Sequence, residues 1–425
     1  MNVHNCQKLV SLVAEEVKEQ PQQGMSSTRN GMESLPKAVV YNNTCLEHIF
    51  IYGCDLLTHI AVGRLPPTLE KLTVYNCKNM QILLDGDDTI NCNSSNSLLE
   101  YFGICNCSSL KSLTSSGELP ATLTSLEMWD CKMLESVAKS FPFNSSLETI
   151  NIQRCENLKS LPTGIHNLSH LHHISIYSCS TLVSFPDGGL LPRNLRELWV
   201  LDCEKMQALP NRIHNITSLQ ELSIRKCPGI VSFPKEGFPT NLTSLTIRDC
   251  NIIESLLEWG LHKLTSPQRL EIDGGCPHLV SFPEMMLPAS LTCLYIRNFH
   301  NLKYLSSKGF RYLSSFKTLK IGWCEKLMSF PDDGLPPSLL DLRIVCCEKL
   351  TSFTEDGLPP SLQQLHIANY PLLKERCKKD QGRAWIKIAH IHCVKIDGKF
   401  IYDPEPAEEN QPMDQISLEF VFGLQ

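Results

Sequence analysis

The sequence has no long apolar run and no strong excess of charge of either sign. Charged residues make up 20% of the 425 residues, and the formal net charge is -6. Such a balance gives no general attraction for nucleic acid or for an anionic membrane surface. No stretch approaches the ~18 consecutive apolar residues of a membrane span, and the first residues do not resemble a secretory signal peptide. We therefore predict no nucleic-acid partner, no membrane span and a cytoplasmic location, with the nucleus as an alternative.

Motifs of enzymes and of metal sites are also missing from the sequence. Neither a G-x-x-x-x-G-K-[ST] phosphate loop nor a G-x-S-x-G nucleophile elbow occurs. Three clusters of possible metal ligands lack a second pair at zinc-finger spacing. They are Cys105 with Cys107, Cys346 with Cys347, and His390 and His392 with Cys393. We predict a chain that is not an enzyme and that holds no metal and no cofactor.

Cysteine, by contrast, is plentiful, and most of the 20 cysteines recur at one position of an internal repeat. Around Cys155 the sequence reads LETINIQRCENLKSLP, and similar segments follow every 24 residues around Cys179, Cys203 and Cys227. The frame returns at Cys54, Cys77, Cys107, Cys131, Cys250, Cys276, Cys324 and Cys347, and two further units carry Phe299 and Tyr370 at this position. About fourteen repeats of this kind predict a solenoid.

Each repeat contains the pattern L-x-x-L-x-[IV]-x-x-C, which predicts one short strand. Its apolar residues alternate with other residues, so Leu and Ile face a core and the residues between them face away. The chain returns to the same edge within ~24 residues, so the strands of successive coils stack in parallel. Proline and glycine punctuate the return path, which favours turns and short 3₁₀ or extended pieces over long helices.

The position of cysteine in the repeat favours a structural role. It follows the strand by three residues, where a small side chain can turn inward and pack against backbone groups of the next coil. Equivalent residues of adjacent coils would lie ~5 Å apart, within disulfide range, so an oxidising compartment would cross-link them. The cysteine ladder, which the frame extends back to Cys6, therefore predicts packing rather than metal or redox chemistry, in a reducing compartment.

The repeat resembles the leucine-rich repeat, L-x-x-L-x-L-x-x-N/C-x-L. Its variant C-x-x-L-x-S-[LF]-P is similar to the repeat region of plant nucleotide-binding leucine-rich-repeat disease-resistance proteins. The segment YPLLKERCKKDQGRAWIKIAHIHCVKIDG, residues 370–398, is similar to the C-terminal end of the coiled-coil class of that family. The resemblance implies an α/β-type right-handed solenoid. This is a horseshoe with a parallel β-sheet on its concave face and short 3₁₀, turn and extended segments on its convex face.

The chain departs from that family because the nucleotide-binding domain is missing, so ADP or ATP is expected only in a full-length relative. The first residues, NVHNCQKLVSL, fit the second half of a repeat and suggest a fragment or a truncated gene product. We predict four segments. They are truncated and degenerate repeats at 1–45, the solenoid at 46–377, a C-terminal cap at 378–402, and an acidic, disordered tail at 403–425.

The strand residues that point away from the core form the predicted binding surface. Aromatic residues dominate its first half and arginines its second half, and Trp, Tyr and Arg are the types most often found as interface hot spots. We predict a protein-binding groove that is cationic near Arg225–Arg297 and suited to an acidic patch on a partner; the alternative is that these side chains merely cover neighbouring strands. Its residues are Tyr52, Tyr75, Trp129, Tyr177, Trp199, Arg225, Arg248, Tyr295, Arg297, Trp323 and Arg343.

The resemblance implies the recognition module of a plant intracellular immune receptor. Such a module binds a pathogen effector or a guarded host protein and restrains a nucleotide-binding switch, so the expected partners are proteins, including its own nucleotide-binding domain. The alternatives are a leucine-rich-repeat adaptor that selects substrates for a ubiquitin ligase, or a generic protein-interaction scaffold. An extracellular receptor would require a secretory signal, paired cysteine caps and a membrane span.

Overall fold

The computed structural model describes residues 2–4, 45–62, 65–85, 98–114, 117, 119–231, 236–274, 276–283, 287–310, 312–331, 333–350, 353, 357–369, 377 and 385–401. The sequence-based predictions for Cys6, for Tyr370 and for the tail lie outside these residues, as does most of the predicted N-terminal segment. None of the helices in the described part of the chain has the length and apolar character needed to span a membrane.

One sheet of 17 strands dominates the structure, and two small sheets of two and three strands accompany it. The strands, numbered along the chain, are β1 Asn2–His4, β2 His48–Tyr52, β3 Ala61–Val62, β4 Lys71–Tyr75, β5 Ile82–Asp85, β6 Tyr101–Cys105, β7 Ser112–Thr114, β8 Ser125–Trp129, β9 Thr149–Gln153, β10 His173–Tyr177, β11 Glu197–Leu201, β12 Glu221–Arg225, β13 Ser244–Arg248, β14 Arg269–Asp273, β15 Ser281–Phe282, β16 Cys293–Arg297, β17 Tyr304–Leu305, β18 Thr318–Gly322, β19 Asp341–Val345, β20 Gln364–Ala368, β21 Cys393–Ile396 and β22 Lys399–Phe400.

The main sheet confirms the predicted solenoid, because its long strands follow one another in chain order and pair in parallel. Each of the fourteen repeats supplies one strand of five residues, from β2 to β20. At one end β1 pairs directly with β2, with Val3 opposite Ile51. At the other end β21 adds a parallel strand from the predicted cap, and β22 pairs with it in antiparallel fashion.

The core lies on one side of this sheet and is built from the repeated Leu and Ile positions. In the coil of β9, Leu147, Ile150 and Ile152 are fully buried, and the equivalent residues of the other coils are buried in the same way. The in-register pairing places each of these side chains beside its counterparts in the coils before and after. The burial of apolar side chains in every coil, ~1.5–3 kcal/mol each, is the main stabilising term.

A left-handed residue follows almost every strand of the main sheet. Asn76, Asp130, Asp249 and Asn298 have φ between 49° and 56°, a conformation that Asn and Asp adopt more readily than most residues. The backbone N–H of each such residue donates to the carbonyl oxygen that ends the next strand, with N–O distances of 2.7 to 3.1 Å along the column. The turn therefore satisfies the backbone where the chain leaves the sheet, and the frequent Asn or Asp before the ladder cysteine has a backbone explanation.

The ladder cysteines are buried and their thiols bind backbone, as the repeat frame predicts. The Sγ of Cys203 lies 3.4 Å from the carbonyl oxygen of Leu201, and that of Cys227 lies 3.5 Å from the carbonyl oxygen of Val200 in the preceding coil. Burial raises the pKa of the Cys179 thiol to about 12, so it stays protonated and unreactive at neutral pH. These thiols are structural.

The return paths on the other side of the core contain little helix. Within the described residues the α-helices are α1 Ile253–Trp259 and α2 Trp385–Ile388, and single 3₁₀ turns occupy Ile165–Asn167, Asp187–Gly189, Ile213–Asn215, Leu261–Lys263 and Ser307–Gly309. The small parallel sheets β3–β5–β7 and β15–β17 also lie on these paths. The predicted mixture of turns and 3₁₀ pieces is thus confirmed, with α1 as the longest helix in the described residues.

Candidate functional site

Three rows of side chains cover the open face of the main sheet, the face opposite the core. Because strand pairing is in register, the first, third and fifth residues of each five-residue strand line up across the coils. We name them the first, middle and last rows, so that β10 contributes His173, Ser175 and Tyr177 respectively. Neighbouring members of a row lie ~4.8 Å apart, so each row presents nearly one side chain per 5 Å of solenoid.

All but one of the predicted site residues belong to these rows. Tyr52, Tyr75, Trp129, Tyr177, Arg225, Arg248 and Arg297 are members of the last row, and Trp199, Tyr295 and Arg343 are members of the middle row. The exception is Trp323, which follows β18 in the left-handed column with φ 50°. It contacts the open face indirectly, because the guanidinium of Arg297 lies 5.7 Å from the centre of its indole ring.

Aromatic side chains interact with one another and with carboxylates over β2–β11. The rings of Phe50 and Tyr75 are 5.6 Å apart, and Trp199 meets the ring of His173 edge-on at 5.1 Å. The hydroxyl of Tyr101, a residue that the sequence-based prediction omitted, donates to Glu127 at 2.8 Å. Most of these side chains are only half-buried, so this part of the open face offers aromatic surface together with acceptor groups.

The indole N–H group of Trp129 lacks a hydrogen-bond acceptor in the described structure. Its N–H group is buried and has no acceptor among the residues that the structure describes. An unpaired buried donor of this kind costs ~1–3 kcal/mol. The unpaired indole N–H group therefore lowers the stability of the folded chain in the aromatic region of the open face.

The second half of the open face contains an ionic cluster, and the prediction of a cationic groove over Arg225–Arg297 requires correction there. Two carboxylates of β14, Glu271 and Asp273, lie between Arg248 and Arg297 and are 4% and 0% exposed. Asp273 forms ion pairs with both arginines, with O–N distances of 3.0 Å to the Nε atom of each, and Glu271 lies 3.3 Å from Arg297. The arginine charges are thus largely neutralised within the protein.

Burial of the ionic cluster also removes Arg297 and Tyr295 from the accessible part of the predicted site. Arg297 is 6% exposed and Tyr295 is 7% exposed. Burial and the neighbouring Arg248 lower the pKa of the Arg297 guanidinium, although both carboxylates oppose this shift. Asn298 completes the cluster by donating its side-chain amide to Asp273 at 2.5 Å. We interpret these residues as an internal network that stabilises the sheet rather than as a contact surface.

A row of basic residues follows the ionic cluster along the middle row. Lys320, Arg343, His366 and Lys395 occupy the same register position on β18, β19, β20 and β21. Asp341 lies 3.0 Å from Arg343. The sequence-based prediction found only Arg343 among its site residues. Lys395 was missed because it lies beyond the repeats, and only the strand pairing shows that it continues the row.

A cavity of about 520 Å³ lies away from the open face, beside α1. Its apolar lining includes Leu257, Leu261 and Phe282, and its polar lining includes Glu254 and Glu258 from one face of the helix. None of the predicted site residues lines it.

Comparisons with known proteins concern the fold. No model of a protein family matches the chain, and no curated protein matches it. YopM from Yersinia enterocolitica is similar at 20% identity over 86% of this chain and 80% of that one, with a TM-score of 0.45. The leucine-rich repeat domain of the type III effector XopL is similar at 23% identity over 49% of this chain and 71% of that one, with a TM-score of 0.39.

A plant peptide hormone receptor, RGFR1 in complex with RGF2, is similar at 15% identity over 83% of this chain and 79% of that one, with a TM-score of 0.20. The repeat sequence and the single parallel strand per repeat give this chain the fold of a leucine-rich-repeat solenoid.

Proposed function

We propose that this chain is a protein-recognition module that binds its partner on the open face of the main sheet. The observation that carries the proposal is the continuous sheet face of the fourteen repeat strands, on which aromatic and charged side chains remain partly accessible outside the ionic cluster. A stable protein interface buries ~800 Å² per partner and is centred on Trp, Tyr and Arg anchors. The half-buried aromatic residues over β2–β11 supply such anchors.

The similarity of the repeat variant and of residues 370–398 to plant nucleotide-binding leucine-rich-repeat proteins supports a role for this module in a plant intracellular immune receptor. In that role the open face binds a pathogen effector or a guarded host protein, and the module restrains a nucleotide-binding switch that belongs to another part of the receptor. The chain acts without a cofactor of its own and in a reducing compartment such as the cytoplasm.

A binding panel of candidate effector and host proteins tests this function. For any protein that binds the full chain, we expect the double substitution Tyr177→Ala with Trp199→Ala to weaken binding by at least about tenfold, since central aromatic anchors are worth ~2 kcal/mol or more. The matched control is Phe143→Ala with Tyr312→Ala, which removes two exposed aromatic residues outside the main sheet. Circular dichroism melts establish that each variant is folded, and Tyr52→Ala is a milder second variant on the open face.

Two results would contradict the proposal. Equal binding by the wild type and both open-face variants would move the site away from this face. Ubiquitination and loss of the bound partner in a plant extract, dependent on this chain, would favour the substrate-adaptor function over the immune receptor.

A further inference from the structure

The cavity beside α1 lies between the return paths of two successive coils. Leu257 and Leu261 belong to the path that follows β13, and Leu279 and Phe282 belong to the path that follows β14. An α-helix with its side chains is ~10–12 Å wide, whereas extended segments of successive coils stack ~4.8 Å apart. The helix therefore cannot pack at the spacing of the other coils, and the cavity of about 520 Å³ is the space left beside it.

The hydrogen-bond ladder of the return paths is interrupted at the same place. On the side of β15 away from α1, the backbone N–H groups of Lys303 and Ser306 donate to the carbonyl oxygens of Val280 and Phe282, at 2.7 and 2.9 Å. On the side of α1, the backbone N–H of Val280 has no acceptor among the residues that the structure describes. The cavity thus lies along an open strand edge and results from the backbone arrangement rather than from one small side chain.

The cavity has an apolar floor and an acidic rim. The floor contains Leu261, Cys276 and Phe282, which are 4%, 9% and 2% exposed. The rim contains Glu254 and Glu258, which are both exposed. Pockets that bind small organic molecules typically have volumes of ~300–1,000 Å³ and combine apolar walls with a few polar groups. The volume and the lining of this cavity are those of a ligand pocket.

Both rim carboxylates lie on the face of α1 that lines the cavity. Glu254, Leu257 and Glu258 occupy positions i, i+3 and i+4, which share one side of a helix. Neither glutamate forms an ion pair or a hydrogen bond through its side chain within the described part of the chain. The exposed glutamate Glu135, by contrast, pairs with Lys159 at 2.6 Å on another return path.

The charges around the rim favour a cation. Two carboxylates four residues apart on a helix repel each other, and a positive group placed between them would relieve that repulsion. Burial, followed by the charge of Glu254, raises the pKa of the Cys276 thiol, so the rim carboxylate is close enough to act on the floor. His278 is the basic side chain of the lining, and it is exposed.

We propose that this cavity binds a small organic molecule that has an apolar body and one protonated amine. The body packs on Leu261 and Phe282, and the amine meets Glu254 and Glu258 at the rim. An anionic ligand is disfavoured, because the rim carries two carboxylates and the chain has a net charge of -6. The site lies away from the open face, so this inference does not depend on the proposed function.

Isothermal titration calorimetry with the full chain tests the proposal. The probes share one apolar body and differ in charge: phenylbutylamine, phenylbutanol and phenylbutyrate. We expect phenylbutylamine to bind most tightly and phenylbutyrate least tightly. Glu254→Gln with Glu258→Gln should weaken phenylbutylamine binding by at least about tenfold, because charge-assisted hydrogen bonds are lost. The same variant should change phenylbutanol binding by less than about twofold, because the apolar floor is intact.

The matched control is Glu204→Gln with Glu348→Gln, which removes two exposed carboxylates outside the cavity and changes net charge equally. We expect a change of less than about twofold in phenylbutylamine binding there. Leu257→Trp fills part of the cavity and should weaken binding of phenylbutylamine and phenylbutanol alike. Circular dichroism melts show whether each variant is folded, and Glu258→Gln alone replaces the rim variant if the pair unfolds.

Three results would overturn the proposal. They are no binding of phenylbutylamine, binding of phenylbutyrate that is as tight as that of phenylbutylamine, and equal losses in the rim variant and its control. The open-face variant Tyr177→Ala with Trp199→Ala should leave phenylbutylamine binding unchanged. The ligand pocket and the protein-recognition face therefore stand or fail separately.

Discussion

The ionic cluster of β13–β16 and the basic row of β18–β21 are neighbours on one sheet face, but they differ in how many carboxylates lie beside their basic side chains. In the cluster, Asp273 stands between Arg248 and Arg297 and pairs with both at 3.0 Å. In the row, Arg343 stands between Lys320 and His366, and Asp341 is the carboxylate beside it. Residue type alone therefore does not show whether an Arg or Lys can bind a partner, because residues of the neighbouring strands decide whether its charge is already paired with a carboxylate.

The largest effect is expected from breaking the ionic cluster. Asp273→Asn keeps the shape of the side chain but removes the carboxylate that lies 3.0 Å from both Arg248 and Arg297, and leaves Glu271 to balance the two arginines. We expect the free energy of unfolding to fall by about 3–5 kcal/mol, measured by urea denaturation at neutral pH. Asp55→Asn, in an exposed pair with Lys78, is the control and should change it by less than about 1 kcal/mol. A similar small change for both variants would show that the cluster is not stabilising.

Replacing a buried basic residue by Met should change the free energy of unfolding in opposite directions in the two regions. Arg297→Met removes a paired buried charge and should lower the free energy of unfolding by about 3 kcal/mol. Lys320→Met removes a buried charge that lies near other cations, and should raise it by about 1–2 kcal/mol. Thermal and urea unfolding of the two variants measure this difference. Destabilisation of similar size in both would mean that the row is compensated as well as the cluster is.

A smaller effect is the response of the basic row to acid. Since the pKa of His366 is lowered from its ordinary 6.5 to about 4, the unfolded chain binds a proton between these pH values and the folded chain does not. Stability should therefore fall as pH falls through this window, by on the order of 1 kcal/mol per pH unit from this residue. His366→Gln should flatten that part of the pH profile, whereas the exposed control His300→Gln should not. An unchanged profile in the His366 variant would contradict the prediction.

The smallest effect is that of salt. Screening should relieve repulsion within the basic row and leave the buried cluster largely unaffected. Raising the ionic strength from ~0.05 to ~0.5 M should therefore stabilise the wild type by a few tenths of a kcal/mol through the row. Unfolding midpoints of the wild type and of Arg343→Gln, compared at both salt concentrations, measure this term. A salt response that is the same in Arg343→Gln would place its origin elsewhere.

The fold could be predicted from the sequence because every repeat contains the same pattern of apolar residues. The alternation of Leu and Ile places the strands, and the constant spacing dictates their order, so the structure confirms the parallel solenoid. The left-handed column was missed, although the frequent Asn or Asp before the ladder cysteine, as at Asn76 and Asp130, is a turn signal that could have revealed it.

The candidate site could be predicted only in part, because side-chain partners come from other strands. The repeat frame placed Arg248 and Arg297 on the open face, but their counter-charges lie on β14, where an extra residue before Cys276 interrupts the spacing. Lys395 joins the basic row through the pairing of β20 with β21, a tertiary contact that no repeat pattern encodes.

The pKa of His366 is the most direct test of the difference in charge environment between the ionic cluster and the basic row. It can be measured by NMR titration of the full chain, with His366→Gln identifying the resonance among the 14 histidines. A pKa of about 4 that rises part of the way toward 6.5 in Arg343→Gln with Lys395→Gln would confirm that these two cations add to the effect of burial on His366. A pKa at or above 6.5 in the wild type would contradict it, since the row would then be neutralised like its neighbour.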